Sequence, residues 1–275
     1  MFRDVAFGQY YPGNSFVHRL DPRIKLIFVI MFIASVFFVN TFVGYGVILG
    51  FVIVSIIFSK VPFLKVLKSL KGIIILVLFT AILNIFFYKQ GRVLVHWTFI
   101  TITEEGLIFA AKMALRLSLL VVGATLLTLT TTPMGITDGM ESLMSPLKLL
   151  KIRVHDIAVI MSIALRFIPS LIEETDKIML AQKARGADFD TGGLIKKAKA
   201  MLPILIPLFV SAFRHADELA LALDARCYNA TEKRTKLKKL TLTWRDGVAA
   251  VFVLLFFALV LFIRYDWFFW FGGII

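Results

Sequence analysis

The stretch IKLIFVIMFIASVFFVNTFVGYGVILGFVIVSIIF, residues 24–58, decides the fold class of this chain. It contains one charged side chain, Lys25, close to its start. A membrane-spanning helix needs about 20 apolar residues, so the stretch is too long for a single crossing. The polar pair Asn40-Thr41 divides it and predicts two short spans, at about 24–39 and 42–58.

Apolar stretches of membrane length recur along the 275 residues. The chain is 59% hydrophobic and has a mean hydropathy of +0.86, well above the values of a soluble domain. We therefore expect an all-α, multi-pass protein of the plasma membrane with about five transmembrane helices. The remaining spans are predicted at about 72–88, 107–130 and 248–263.

Local capping signals mark where two of the helices begin. Asp21 is a good N-cap and Pro22 a good first helical residue, so the first helix should begin there. Thr132 and Pro133 repeat this arrangement after the fourth span. A new helix should therefore begin at Pro133.

The basic residues are distributed unevenly and predict the orientation. The net charge is +13, and a chain this apolar retains such an excess on the cytoplasmic side of a membrane, so no nucleic-acid partner is needed to explain it. Residues 60–71 carry four lysines and no acid, whereas the predicted outer loops are electrically balanced. The N-terminus should be cytoplasmic, and five spans place the C-terminus outside.

The charge density divides the chain into three parts: a membrane domain of about four spans over 1–131, a charged module over 132–247, and a last transmembrane helix over 248–275. The module holds 18 basic and 13 acidic residues. Its apolar pieces, 154–168 and 201–213, are interrupted by charges or prolines and could be short or broken spans. Because charges recur so often, we favour long amphipathic helices on the cytoplasmic surface. The basic run 233–239 reads as a solvated or headgroup-facing connector.

The charged module contains an internal repeat. DKIMLAQKAR (176–185) and DELALALDAR (217–226) share the pattern D-x-x-x-L-A-x-x-A-R. At helical spacing the Leu and the two Ala of each copy lie close together, next to one arginine with five donors. Each copy therefore predicts a helix end suited to docking. Ala and Leu are common in this chain, so a chance match of two helices is the alternative.

Two cations, Lys112 and Arg116, lie within the fourth predicted span. Charges inside a span face protein or a water-filled pocket, or reach back to the headgroups. The pair could contact a partner membrane protein. Internal pairing or extension to the headgroups is the alternative.

The sequence lacks the motifs of several chemistries. It has no G-x-x-x-x-G-K-[ST] loop for ATP, and its four histidines have no metal-binding spacing. The adjacent Glu173 and Glu174 point apart on a helix. We expect no catalytic residue, metal or cofactor in this chain, so any ATP must be bound by partners. A membrane anchor with two arginine-tipped helices fits a coupling protein.

Several motifs together resemble the transmembrane T component (EcfT family) of energy-coupling factor (ECF) transporters, which are ABC-type importers. Ala-Arg-Gly at 184–186 and Ala-Arg-Cys at 225–227 resemble the two X-Arg-X signatures of that family, although Cys227 stands where a small residue is common. Three further motifs agree in order and approximate spacing. These are Leu20-Asp21-Pro22-Arg23-x-Lys25, Thr131-Thr132-Pro133, and Leu165-Arg166-Phe167-Ile168-Pro169.

The resemblance implies a non-catalytic scaffold without a substrate site of its own. Two cytosolic ABC-type ATPases would bind ATP, and each would receive one X-Arg-X helix end in a groove. The docking residues carried over are Ala184, Arg185, Gly186, Ala225, Arg226 and Cys227. A separate small membrane subunit would capture the vitamin or metal ion. The alternative is an ordinary ABC importer permease with its own translocation pathway, against which two arginine tips in one chain argue.

Overall fold

The computed structural model describes residues 10–88, 92–97, 100–146, 154–187, 189, 193–228 and 241–271. Nine α-helices and two β-strands occur in these residues. In chain order they are α1 (Pro22–Phe38), α2 (Phe42–Ser59), α3 (Phe63–Lys71), α4 (Ile74–Phe87), β1 (Val93–Trp97), β2 (Ile100–Thr103), α5 (Glu104–Thr130), α6 (Pro133–Leu143), α7 (Val154–Ala184), α8 (Leu194–Ala225) and α9 (Trp244–Phe271). The predicted connector at 233–239 lies outside the described residues.

The described residues form two compact units. The bundle unit contains the described residues up to Val154 together with those from Thr241 onward. The helix-pair unit contains the described residues from His155 to Tyr228, which comprise α7 and α8. Each unit has its own internal packing.

The predicted capping signals begin the helices of the bundle unit. The Asp21 carboxylate accepts a hydrogen bond from the Arg23 amide at 2.9 Å, and Pro22 is the first residue of α1. The hydroxyls of Thr41 and Thr132 accept from Gly44 and Gly135 at the starts of α2 and α6. The predicted break at Asn40-Thr41 and both predicted helix starts are confirmed.

The core of the bundle unit lies between α1, α2, α5 and α9. Val36, Ile48 and Val260 are fully buried there. Gly123 lets α5 approach α1 closely, because a Cβ at this position would lie only 2.3 Å from the Phe32 ring. Much of the outer surface is apolar and exposed, as expected for helices that face lipid.

The chain between α4 and α5 differs from the predicted loop. β1 and β2 form an antiparallel hairpin in which Trp97 pairs with Ile100 and Val93 with Thr103. Six of the nine strand residues are valine, isoleucine or threonine, and β-branched residues favour extended backbone. This signal was present in the sequence, but the loop prediction did not use it.

The all-α membrane class is confirmed, since helices make up nearly all of the described structure and five are long and apolar enough to cross a membrane. The set of helices that qualify as spans differs from the prediction. By length and composition, α2, α5, α7, α8 and α9 qualify. Helix α1 has 17 residues and α4 has 14, and α4 forms with α3 a pair bent by 56°, which would make a sixth span if it counts as one.

The helix-pair unit consists of two unusually long helices. α7 has 31 residues and continues through Pro169, and α8 has 32 and continues through Pro203 and Pro207. A proline inside a helix removes one backbone hydrogen bond and bends the helix without necessarily ending it. The prolines therefore interrupt the apolar pieces but do not end the helices.

Candidate functional site: two arginine-tipped helix ends

The first copy of the repeat ends α7. The amide of Arg185 donates to the carbonyl of Ala181 at 3.2 Å, so this residue closes the last helical turn. Gly186 then adopts the left-handed conformation, with a φ of 88°. The amides of Gly186 and Ala187 donate to the carbonyls of Lys183 and Gln182, each at 3.0 Å. This pair of hydrogen bonds is the Schellman motif, which satisfies the last carbonyls of a helix.

The second copy of the repeat ends α8 in the same way. The residue after Arg226 is again left-handed, since Cys227 has a φ of 52°. The amide of Cys227 donates to Asp224 at 2.9 Å, and that of Tyr228 donates to Leu223 at 3.0 Å. Both arginines thus occupy the same C-cap position. The repeat is a repeat of structure as well as of sequence.

The two tips also present the same surface. Leu180 is 68% exposed and Leu221 is 69% exposed, although large aliphatic side chains are usually buried. The docking residues predicted at both tips are all exposed: Ala184, Arg185, Gly186, Ala225, Arg226 and Cys227. Within the part of the chain that the structure describes, neither guanidinium has a hydrogen bond or an ion pair.

This arrangement can bind a carboxylate or a cluster of carbonyls. An arginine offers five donors in a planar fork, and the neighbouring alanines leave room for a partner surface to come close. A positive side chain at a helix C-terminus also interacts favourably with the helix dipole, which holds the guanidinium at the end of the helix. Each tip therefore combines an apolar flank with one directed cation.

The helix pair that carries the tips is lightly packed. In the most apolar 18-residue stretch of α7, and likewise of α8, 6% of the residues are buried. The two helices meet where the rings of Phe167 and His215 lie 5.9 Å apart. His215 Nδ1 and Glu174 Oε2 are buried and lack a hydrogen-bond partner among the described residues. Glu173 is exposed, so the adjacent glutamates have different surroundings, as their helical spacing predicts.

The structure gives Arg116 binding partners inside the bundle unit. Its guanidinium donates to the hydroxyl of Tyr45 at 3.1 Å, and to the carbonyl of Val39 and the side chain of Asn40 at 3.0 Å each. Lys112 lies 5.3 Å from the ring of Phe42. Arg116 therefore closes the C-terminal end of α1, which favours the internal-pairing interpretation for this residue. Contact of the pair with a partner subunit stays a prediction.

A second polar cluster lies at the other end of α1, where it joins the start of α1 to the end of α5 and the start of α9. The ammonium of Lys25 donates to the carbonyl of Thr130 at 2.9 Å and to the hydroxyl of Thr131 at 3.3 Å. The carboxylate of Asp246 accepts from the amide of Asp21 at 2.8 Å, and both carboxylates attract the Lys25 charge. Three of these residues, Asp21, Lys25 and Thr131, belong to two of the motifs noted in the sequence. We call Asp21, Lys25, Thr130, Thr131 and Asp246, together with His18, the basal cluster.

The N-terminal segment is attached to the basal cluster. The carbonyl of His18 accepts from Lys25 at 3.3 Å, and the ring of His18 hydrogen-bonds to Ser15 and to the carbonyl of Tyr11. The amide of Tyr11 donates to Leu129, at the end of α5. The cluster thus fastens the N-terminal segment, α1, α5 and α9 together at one end of the bundle unit.

Comparison with known proteins gives consistent matches over nearly the whole chain. The model of the CbiQ family, described as cobalt transport protein, matches residues 13–237. The energy-coupling factor transporter transmembrane protein EcfT of Clostridium kluyveri is 50% identical over 97% of this chain and 99% of its own length. EcfT of Brevibacillus brevis is 52% identical over 91% and 95%, and EcfT of Bacillus subtilis is 47% identical over 96% and 100%.

Proposed function

Because the chain belongs to the CbiQ/EcfT family, the transmembrane components of energy-coupling factor transporters, we propose that it couples two cytosolic ABC-type ATPases to a separate substrate-binding membrane subunit. Each ATPase receives one arginine tip in a groove. The chain itself is non-catalytic, and ATP is bound by the ATPases. The small membrane subunit captures the solute, a vitamin or a metal ion.

The observation that carries this proposal is the structural likeness of the two tips. Two helices of one chain end in the same Schellman pair of hydrogen bonds, with an exposed arginine at the same position and a leucine of nearly equal exposure five residues before it. Chance similarity in Ala and Leu content does not explain why both copies place an exposed arginine at the C-cap, directly before a left-handed residue. Two equal docking ends fit two equal or homologous partners.

The sequence of the helix pair supports a cytoplasmic position on the membrane surface. The longest uncharged piece of α8, residues 200–213, spans about 21 Å at 1.5 Å per residue, which is less than the roughly 30 Å hydrocarbon core of a bilayer. In α7, the uncharged piece between Asp156 and Arg166 is still shorter. Crossing the membrane would place these charges in lipid, which is costly.

The charge of the bundle unit supports its orientation. Four exposed lysines, Lys60, Lys65, Lys68 and Lys71, follow α2. Lys65 lies 4.1 Å from the ring of Tyr11, so these lysines are at the same end of the unit as the N-terminal segment. Basic residues remain on the cytoplasmic side of a membrane. This end is therefore cytoplasmic in our proposal.

The coupling step requires two arrangements of the helix pair. The light packing of α7 and α8 supports such mobility, because few buried contacts would be lost on rearrangement. The internal prolines of α8 support bending at fixed points. ATP-driven closure of the ATPases would move the tips, and the pair would pass that motion to the substrate-binding subunit.

The proposal is tested by co-purification and uptake with the double variant Arg185→Glu/Arg226→Glu. Reversing both charges should abolish recovery of the ATPases and ATP-driven uptake, since losing one partner of a desolvated charge pair costs about 2–5 kcal/mol at each tip. Lys177→Glu/Arg214→Glu is the matched control, because it makes the same charge change at exposed positions of the same helices. Full assembly and uptake in the first variant would contradict the docking assignment.

A further inference from the structure

The bundle unit contains an apolar cavity of about 410 Å³ between α1, α2, α5 and α9. This volume lies within the range of ligand-binding pockets. Its walls are formed mainly by aromatic and aliphatic side chains, among them Phe28, Phe32, Phe51, Leu126, Phe252 and Val253. All residues that line it belong to the bundle unit.

The polar side chains in the wall are already hydrogen-bonded within the chain. Ser55 and Ser59 donate to the carbonyls of Phe51 and Ile56, at 2.8 and 2.7 Å. Thr130 donates to Leu126 at 2.7 Å, and Lys25 belongs to the basal cluster. The remaining side chain with a polar atom, Trp244, is 71% exposed. A polar ligand would find no free partner here, so the cavity suits an apolar one.

One end of the cavity lies at the basal cluster. Phe16, Val17, Leu20, Lys25 and Trp244 line this end, which is where α1 and α9 begin. The other end reaches Phe32, about 10 Å further along α1 at 1.5 Å per residue. Several wall residues are on the surface, with Phe58, Val248 and Phe252 between 48% and 58% exposed. The cavity therefore opens sideways between α2 and α9.

Two cations are chain neighbours of residues that line the basal end. Arg19 is exposed and precedes Leu20, and Arg245 follows the exposed Trp244. Tryptophan favours the headgroup level of a membrane, and arginines there attract anionic headgroups of the cytoplasmic leaflet. An apolar cavity that opens sideways, with arginines close in the chain to its basal end, matches the chemistry of one membrane lipid.

We propose that this cavity holds one acyl chain of an anionic phospholipid of the cytoplasmic leaflet. The chain runs from the Trp244 end toward Phe32, and the headgroup phosphate lies near Arg19 and Arg245. The proposal requires that the bundle unit lies in a membrane with the basal cluster on the cytoplasmic side. It does not require the docking of ATPases.

The test uses the full-length chain in membrane vesicles of the expressing cells, with its accompanying subunits. The probe is phosphatidylglycerol with a diazirine in the middle of one acyl chain, compared with phosphatidylcholine carrying the same chain. After illumination, peptide mass spectrometry should locate adducts on α1 and α9 residues of the cavity wall. Phosphatidylglycerol should label them at least several-fold more strongly than phosphatidylcholine.

A matched pair of variants separates the cavity from the general lipid surface. Val29 lines the cavity, whereas its neighbour Ile30 is 64% exposed and does not. Val29→Trp should fill the cavity and lower wall labelling at least fivefold, while Ile30→Trp should leave it unchanged. If Val29→Trp does not accumulate, an excess of unmodified phosphatidylglycerol should lower wall labelling of the wild type and spare the Ile30 side of α1.

Three results would overturn the proposal. Even labelling around the helices, unaffected by Val29→Trp or by competitor, would show only general lipid contact. Absence of wall adducts while the outer surface is labelled would show that a protein segment fills the cavity. Equal wall labelling by both lipids would overturn the assignment of an anionic headgroup.

Discussion

The left-handed residue after each arginine is where the two tips differ at the level of single residues. Gly186 adopts a positive φ without strain, whereas Cys227 adopts it with a Cβ. A non-glycine residue in this conformation costs roughly 1 kcal/mol. The end of α8 is therefore less stable than the end of α7, although both ends form the same Schellman pair of hydrogen bonds.

Exchanging these residue types should reverse that difference. Gly186→Ala should weaken the end of α7 by about 1 kcal/mol, and Cys227→Gly should strengthen the end of α8 by a similar amount. Hydrogen exchange measures this directly at the amides of Ala187 and Tyr228, which should change about fivefold in opposite directions. Gly193→Ala is the control, because Gly193 has an ordinary φ of −70° and open space around it. Unchanged exchange in both variants would contradict the assigned strain.

Arg116 gives a second prediction at the residue scale. Arg116→Met leaves the carbonyl of Val39 and the hydroxyl of Tyr45 without their charged donor, and each such bond contributes about 1.5–3 kcal/mol. The thermal unfolding midpoint of the purified chain should fall by several degrees. Lys112→Met should change it little, because the contact of Lys112 among the described residues is with the ring of Phe42 and not with a hydrogen-bond acceptor. A larger loss from Lys112→Met would reverse the roles assigned to the two residues.

The basal cluster acts at the scale of elements, because it joins α1, α5 and α9. Lys25→Met removes the donor to Thr130 and Thr131 and a positive charge that attracts the buried Asp246. Each hydrogen bond from a charged group contributes about 1.5–3 kcal/mol. The unfolding midpoint should fall clearly, and replacing the carboxylate as well, in Lys25→Met/Asp246→Asn, should recover part of the loss. Lys71→Met, at an exposed position, is the control. Equal unfolding midpoints for Lys25→Met and Lys71→Met would contradict a structural role of the cluster.

Helix starts were predictable from the sequence because capping is local. Asp21-Pro22 and Thr132-Pro133 satisfy the first free amides of their helices whatever surrounds them. The lengths of α7 and α8 were not predictable in the same way. Their prolines predict helix ends, but a long helix tolerates the loss of one backbone hydrogen bond at a proline.

The candidate site was predictable in its residues but not in its geometry. The arginines and their flanking residues follow from the repeated pattern alone. That both arginines occupy a C-cap, and that Cys227 copies the conformation of Gly186, depends on backbone geometry. The partners of Arg116 could not be read from the sequence either, since Tyr45 and Val39 are more than 70 residues away along the chain.

At the scale of the whole molecule, the chain consists of a firmly packed bundle unit and a lightly packed helix pair. The bundle unit has a buried core and polar clusters at both ends of α1. The helix pair buries little of its apolar surface and carries the two tips. Such a division suits a coupling protein, since one part holds its place in the membrane while the other changes arrangement.

The central claim is that each arginine tip lies in a groove of one ATPase, and short-range cross-linking tests it most directly. Cysteines placed at Ala184 or Ala225 in a Cys227→Ser background leave both arginines intact. A maleimide that carries a photoreactive diazirine, attached to each introduced cysteine and illuminated in the assembled complex, should join each position to an ATPase subunit, whereas the same reagent on a cysteine at the exposed Lys177 should give no such product. ATPase adducts at Lys177 and none at either tip, in a complex that still assembles, would contradict the claim.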